Sequence, residues 1–248
     1  MKIMVTGGAG FIGSHFVREL LAGSYPWLGE VDGVTVYDKL TYAGNLDNLT
    51  SVSGDPRYSF VQGDICDGDL LDQALPGHDV VVNFAAETHV DRSIHGPQDF
   101  IITNVVGTQT VLDACLRNKI DRTVHIGTDE VYGSIDEGSW TESEPLQPNS
   151  PYSAAKAAAE MLVRAYHVTY GLNVSSTRCS NNYGPYQFPE KVIPLFVTNL
   201  IDGKNVPLYG DGLNVRDWLH VEDHCRGIAL VISKGQPGES YNIGGGLE

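Results

Sequence analysis

Basic residues are scarce in this 248-residue sequence. Lys and Arg number 16 against 31 Asp and Glu, which gives a formal net charge of −15. A surface with this charge repels nucleic acids and anionic membranes, so neither is an expected partner. An anionic ligand would need a local group of positive side chains to offset the overall charge.

Paired cysteine motifs and long apolar segments are also missing. Cys66, Cys115, Cys179 and Cys225 show no Cys-x-x-Cys spacing. They are typical of free thiols in a reducing compartment, and we expect a cytoplasmic protein. No apolar run approaches the roughly 18 residues that a membrane-spanning helix needs. Met1 leads directly into a predicted strand, so no signal peptide is expected.

Residues 7–13, with the sequence GGAGFIG, separate the first predicted strand from a helix predicted over 14–22. A glycine turn between a strand and a helix is the context of a dinucleotide-binding loop. Gly7 would form the tight turn, Gly10 would let the backbone approach a pyrophosphate, and Gly13 would let the helix pack on the strand. The helix N-terminus would then face the phosphates.

Asp38 ends the second predicted strand, over 34–38, and lies 25 residues beyond Gly13. An acid about 20 residues beyond the loop hydrogen-bonds the adenosine ribose and repels a 2′-phosphate. The sequence therefore favours NAD over NADP. Lys39 follows directly and reduces that preference slightly.

Polar and small residues follow the carboxyl ends of the predicted strands. Further strands are predicted at 58–64, 80–86, 123–127 and 174–178, with a helix over 99–118. Ligands of parallel sheets bind beyond the carboxyl ends of the strands. The residues that fall there are 7–13, Asp38, Asp64, 85–88 and 128–130. The sequence therefore predicts an α/β fold, a Rossmann-type doubly wound parallel sheet.

A Tyr and a Lys lie four residues apart at the start of a helix predicted over 151–170. Tyr152 and Lys156 would share one face of that helix. An ammonium beside a phenol favours the phenolate, which would make the tyrosine a base near neutral pH. One strand earlier come Thr128 and the two carboxyl residues after it, which are more groups than an alcohol oxidation requires.

The two carboxyl residues are neighbours in sequence, Asp129 and Glu130. In a regular strand their side chains would point to opposite faces of the sheet. For both to reach one ligand, the backbone must leave strand geometry just after Thr128, and we predict that it does.

The last part of the chain is rich in turns and aromatic residues. A helix is predicted over 191–202, and Lys191 and Arg216 are cations suited to a diphosphate. His220 and His224 are spaced four residues apart. Without a third ligand nearby, they are interpreted as marking a helix start, and no metal is expected.

Several motifs resemble known families. TGGAGFIG at 6–13, Tyr152-x-x-x-Lys156 and RDW at 216–218 are similar to the extended short-chain dehydrogenase/reductases, an NAD-dependent epimerase/dehydratase family. Within these, the sequence resembles the dTDP-glucose 4,6-dehydratases. It is carried by DKLTYAGN at 38–45, ETHVDRS at 87–93, TDEVYG at 128–133, NNYGPY at 181–186 and PEK at 189–191.

The resemblance implies a set of binding residues. Besides the three loop glycines, the implied NAD contacts are Phe11, Ile12, Asp38, Lys39, Leu40, Thr41, Asp64, Ile65, Phe84, Ala85, Ala86, Thr88, Thr103, Tyr152, Lys156 and Asn182. The implied substrate contacts are Thr88, Thr128, Asn181, Lys191, Val192, Pro207, Leu208, Tyr209 and Arg216.

The resemblance also implies an activity, a hydro-lyase that converts dTDP-glucose to dTDP-4-keto-6-deoxyglucose in deoxysugar biosynthesis, with NAD tightly bound and regenerated in each turnover. The implied catalytic residues are Thr128, Asp129, Glu130, Tyr152 and Lys156. Three alternatives stay open. A nucleotide-sugar 4-epimerase would use the same Tyr and Lys, a UDP-glucuronate decarboxylase would also oxidise C4, and a non-catalytic module would bind NAD alone.

Two domains are expected. Residues 1–178 would bind NAD, and 179–248 would mainly bind substrate, with 213–232 returning to the Rossmann domain. Chains of the resembled family continue further, so this smaller domain is expected to be truncated at its C-terminus. Helices 99–118 and 151–170 are expected to form the interface of a homodimer.

Overall fold

A seven-stranded parallel sheet forms the centre of the computed structural model, which describes residues 1–246. The strands of this sheet are β1 (Lys2–Thr6), β2 (Gly33–Asp38), β3 (Tyr58–Gln62), β4 (Val80–Asn83), β5 (Arg122–Thr128), β6 (Val174–Cys179) and β9 (Ser240–Ile243). Their order across the sheet is β3-β2-β1-β4-β5-β6-β9. The predicted Rossmann-type sheet is thus confirmed.

Helices cover both faces of the sheet. They are α1 (Phe11–Ala22), α2 (Gly68–Ala74), α3 (Val90–His95), α4 (Pro97–Phe100), α5 (Thr108–Arg117), α6 (Pro151–Tyr170), α7 (Val192–Ile201) and α8 (Val221–Lys234). Helices α1 and α8 pack on one face, and α2, α5 and α6 on the other, each over its own cluster of buried apolar side chains. None of the helices within residues 1–246 is long and apolar enough to cross a membrane.

A small two-stranded ribbon stands apart from the main sheet. Strand β7 (Asn181–Tyr183) pairs in parallel with β8 (Trp218–His220), and the segment between them carries α7. Directly after β8 the chain returns to the large sheet, because α8 packs against α1 and β9 pairs with β6. The His220 side chain accepts a hydrogen bond from the Glu222 amide at 3.4 Å, so the predicted helix start is confirmed.

Several predicted boundaries differ from the structure. Helix α1 begins at Phe11 rather than residue 14, because the loop glycines already enter the first helical turn. Strands β3 and β4 end at Gln62 and Asn83, opposite the last residues of their partners β2 and β1.

The helix predicted over 99–118 is interrupted. A π-helical segment, Ile101–Gly107, separates α4 from α5. Within it, the buried Asn104 side chain exchanges two hydrogen bonds with the Glu87 backbone, at 2.8 and 2.9 Å. The interruption therefore ties the helix to the loop that follows β4.

Candidate active site

One cleft lies across the carboxyl ends of the main strands, where ligands of parallel sheets bind. Most residues predicted to form the site line it. These are Gly7, Gly10, Phe11, Ile12, Gly13, Asp38, Lys39, Thr41, Asp64, Ile65, Phe84, Ala85, Ala86, Thr88, Thr103, Thr128, Glu130, Tyr152, Lys156, Asn181, Asn182, Lys191 and Val192. Six predicted site residues lie outside the lining, namely Leu40, Asp129, Pro207, Leu208, Tyr209 and Arg216.

The glycine loop has the tight geometry that its sequence predicts. Gly7 adopts a φ of +67°, and a Cβ there would lie 2.6 Å from the Ala85 nitrogen. A Cβ on Gly13 would collide with the Gly7 carbonyl oxygen. Gly10 is the N-cap of α1, and no side chain caps the first amides of this helix. The uncapped amides lie at the cleft, where they can bind the oxygens of a diphosphate.

Asp38 is held in place by backbone amides. Its carboxylate accepts hydrogen bonds from Ala9 N at 2.9 Å and from Leu40 N at 2.8 Å. The neighbouring Lys39 forms an ion pair with Asp64 at 2.7 Å. The charge of Lys39 is therefore directed to Asp64 rather than to Asp38.

The chain leaves strand geometry immediately after Thr128, as predicted. Residues Asp129–Tyr132 form one 3₁₀ turn, which we call the acidic turn. Thr128 is its N-cap and accepts a hydrogen bond from the Glu130 amide at 3.3 Å. This capping bond ends the strand and fixes the direction of the turn.

Both carboxyl groups of the acidic turn have raised pKa values. Burial, with Glu130 and then Asp217 nearby, raises the pKa of Asp129 from 3.8 to about 6. Burial also raises the pKa of Glu130, although Lys191 and Arg216 act in the opposite direction. Asp129 is half-buried and lies next to the lining of the cleft, whereas Glu130 is more exposed and is part of that lining. Near neutral pH the pair can thus hold both an acid and a base.

Tyr152 and Lys156 lie near the start of α6, and both side chains are buried. The pKa of Tyr152 is raised in this structure, whereas the spacing of Tyr152 and Lys156 predicted a lowered value. Burial and the charge of Glu130 raise the pKa of Tyr152 well above 10, while a hydrogen bond with Thr128 lowers it. The Lys156 ammonium instead donates to the Ile126 carbonyl at 2.6 Å. Burial lowers the pKa of Lys156 from 10.5 to about 8.

The side chains predicted to bind substrate are only partly brought together. Lys191 lines the cleft and donates to the Thr88 carbonyl at 2.9 Å. Arg216 is exposed and donates to the carbonyl of Val215. The exposed Tyr209 hydroxyl donates to Asp91 at 3.0 Å. The segment 204–216 therefore lies beside the cleft rather than in its wall.

The structure adds residues to the cleft that the sequence reasoning missed. They include Ala43, Gly44, Ile126, Gly127, Cys179, Ser180, Gln187, Phe188, Glu190 and Trp218. Most belong to turns whose shape no periodic pattern predicts. Cys179 ends β6 and Ser180 follows it, so the rule that ligands bind beyond strand ends could have found them.

A cluster of aromatic and charged side chains lies at the edge of the cleft. The Tyr42 hydroxyl donates to Glu190 at 3.2 Å, and the Arg92 guanidinium lies 3.7 Å from the centre of the Tyr42 ring. Phe188 packs edge-on against Tyr42 at 5.7 Å. Two loops and helix α3 thus meet at the cleft, whose lining includes Phe188 and Glu190.

Comparison with known proteins adds independent information. The family model described as GDP-mannose 4,6 dehydratase matches residues 4–248. The dTDP-glucose 4,6-dehydratase of an Actinoplanes species is 62% identical, covering 100% of this chain and 78% of that protein. The crystal structure of DesIV, a dTDP-glucose 4,6-dehydratase of Streptomyces venezuelae with NAD bound, has a TM-score of 0.98 and 64% identity, covering 100% of this chain and 76% of that one.

An epimerase of similar fold is more distant. The UDP-glucuronic acid 4-epimerase of Bacillus cereus, in complex with UDP-glucuronic acid and NAD, has a TM-score of 0.91 but only 33% identity. The match covers 100% of this chain and 78% of that one. The fold is therefore common to both activities, while the sequence lies much nearer the dehydratases.

Proposed function

Since the chain belongs to the dTDP-glucose 4,6-dehydratases, within the family of GDP-mannose 4,6 dehydratases, we propose that its cleft binds NAD and dTDP-glucose and dehydrates the hexose to the 4-keto-6-deoxy sugar. The observation that carries the proposal is the acidic turn. It places a carboxyl group with a pKa of about 6 and a carboxyl residue that lines the cleft beside the buried Tyr152.

The cleft residues fit NAD. The uncapped N-terminus of α1 suits a pyrophosphate, and the close approach at Gly7 leaves no room for a side chain in the loop. Asp38, at the end of β2, suits the hydroxyls of an adenosine ribose. NAD bound there would supply the hydride chemistry, accepting a hydride from C4 of the hexose and returning it to C6.

Tyr152 is the base for the first step. It accepts the proton of the C4 hydroxyl as the C4 carbonyl forms, and Thr128 hydrogen-bonds the same oxygen. Because burial keeps the Tyr152 phenol protonated, nearby positive charge is needed to form the phenolate. Lys156, one helical turn away, is a cation of this chain that can supply it.

The acidic turn carries out the elimination. The new C4 carbonyl acidifies the C5 hydrogen, and Glu130 removes that proton. Asp129 donates its proton to the C6 hydroxyl, the C6–O bond breaks, and water leaves. A proton returns to C5 when C6 is reduced, so one water is lost per sugar and no net oxidation occurs. General acid–base groups of this kind contribute roughly 10²–10⁴-fold each.

Product analysis tests the assignment. The protein is incubated with NAD and dTDP-glucose, and the sugar products are separated and identified. A 4-keto-6-deoxy product that disappears in Tyr152→Phe supports the proposal. A product epimerised at C4 with its C6 hydroxyl retained, or NAD binding without any sugar product, would overturn it.

The wider assignments are also proposals. We infer a homodimer because Ile102, Val106, Met161 and Val168 are exposed apolar side chains on the segments expected to form its interface. Residues 1–178 would form the NAD domain and 179–248 mainly the substrate domain. The four free cysteines support a reducing compartment, the cytoplasm.

A further inference from the structure

A buried ion pair lies directly beneath the acidic turn. Arg178 of β6 donates from Nε to both carboxylate oxygens of Glu160 in α6, at 3.0 and 3.1 Å. Both side chains are almost completely buried, at 6% and 4% exposure. Ser240 of β9 adds a hydrogen bond to the same carboxylate at 2.7 Å. A buried pair with this many hydrogen bonds holds its partners in one geometry.

The same guanidinium reaches the acidic turn. Arg178 donates to the hydroxyl of Tyr132, the last residue of the turn, and to the Glu142 carbonyl at 3.0 Å. The Tyr132 hydroxyl in turn donates to Asn242 at 2.8 Å. The buried Tyr132 ring stacks on Trp140 with 5.3 Å between the ring centres. The end of the turn is therefore fixed on all sides.

Glu160 also belongs to the helix that carries the redox residues. Tyr152, Lys156 and Glu160 are spaced four residues apart in α6, so they share one face of the helix. The ion pair thus joins that face to β6, and Arg178 joins it to Tyr132. One continuous network connects the helix of Tyr152 with the turn of Asp129 and Glu130.

We propose that Tyr132, Glu160 and Arg178 are positioning residues for the elimination, and that they set where the acidic turn stands relative to Tyr152. This inference rests on the proposed function. None of the three lines the cleft, so they act only through the groups they hold. Proton transfers need heavy atoms within hydrogen-bond reach, so a small displacement of the turn slows elimination while oxidation, which depends on α6, proceeds.

Tyr132→Phe is the sharpest test because it removes only the hydroxyl. Single-turnover reactions follow reduced cofactor by absorbance, together with the sugar products. The absorbance of reduced cofactor rises as the sugar is oxidised, and we expect this rise to keep the wild-type rate. The absorbance then decays during elimination and hydride return, and this decay should slow about tenfold, as expected for the loss of one hydrogen bond. Tyr25→Phe is the matched control, since this buried hydroxyl has no hydrogen-bond partner.

The outcomes separate this inference from the proposed function. If the wild type forms no 4-keto-6-deoxy sugar, the proposed function fails. If the wild type is active and Tyr132→Phe slows both phases equally, or neither, the positioning role is refuted. If thermal unfolding shows that Tyr132→Phe is not folded, Asn242→Ala is the deciding variant. Asn242 is exposed, and this substitution removes the group that accepts the hydrogen bond of the Tyr132 hydroxyl. Its decay phase alone should slow.

Discussion

Neutralising Asp129 should stabilise the protein above about pH 6, although the residue is part of the proposed catalytic set. The folded protein raises the pKa of this carboxyl from 3.8 to about 6. Each pKa unit corresponds to about 1.36 kcal/mol, so the shift amounts to about 3 kcal/mol at most. The side chain is partly exposed, and solvent screening reduces this to about 1–2 kcal/mol.

The sign of this stability change follows from the direction of the Asp129 pKa shift. Folding favours the protonated carboxyl, so the wild type loses stability as pH rises from about 4 to above 6 and Asp129 becomes charged. Asparagine is neutral throughout. Asp129→Asn should therefore match the wild type below about pH 4 and exceed it at pH 8 by about 1–2 kcal/mol, or about 2–8 °C in Tm for a chain of this size.

Thermal unfolding in a pH series measures this difference. Asp136→Asn is the control, since it makes the same substitution in an exposed loop. Equal melting of Asp129→Asn and the wild type at both pH values would falsify the view that Asp129 is held as an acid by its surroundings.

Three further predictions concern the cleft. Glu130→Gln should leave the initial reduction of NAD intact and cut formation of the dehydrated sugar by roughly 10²–10⁴-fold in a product assay. Asp38→Asn, which removes the charge that would repel a 2′-phosphate, should lower the NAD over NADP affinity ratio about tenfold in binding titrations, and an unchanged ratio would contradict the assigned role. Gly13→Ala should weaken NAD binding and destabilise the protein by about 1–3 kcal/mol, because the added methyl collides with the Gly7 carbonyl, whereas Gly54→Ala, which meets nothing within 4 Å, should do neither.

The cleft residues next to strand ends could be predicted because local chemistry determines them. A turn with positive φ and a close backbone contact requires glycine, which made Gly7 visible in the sequence. The adjacent acids of the acidic turn required the chain to leave the strand, and Thr128 provides the cap that ends it.

Long-range packing could not be predicted in the same way. Arg178 and Glu160 gave no periodic signal as a pair, since one lies in a strand and the other in a helix. The predicted shift of the Tyr152 pKa had the wrong direction. The spacing reveals a neighbouring lysine, but it does not reveal how completely water is excluded from the phenol. The π-helical segment around Asn104 likewise depends on a contact with a distant loop.

The pairing of β7 with β8 closes the base of a chain insertion. Everything from 184 to 217 leaves the main sheet and returns through this pair of three-residue strands. The insertion lies between β6 and its neighbour β9 in the sequence. The paired residues Ser176 and Ser240 are therefore more than 60 residues apart. That edge should complete late in folding, since distant pairings are slow. The length and sequence of the insertion can therefore change without altering the strand pairs of the ribbon or of the main sheet.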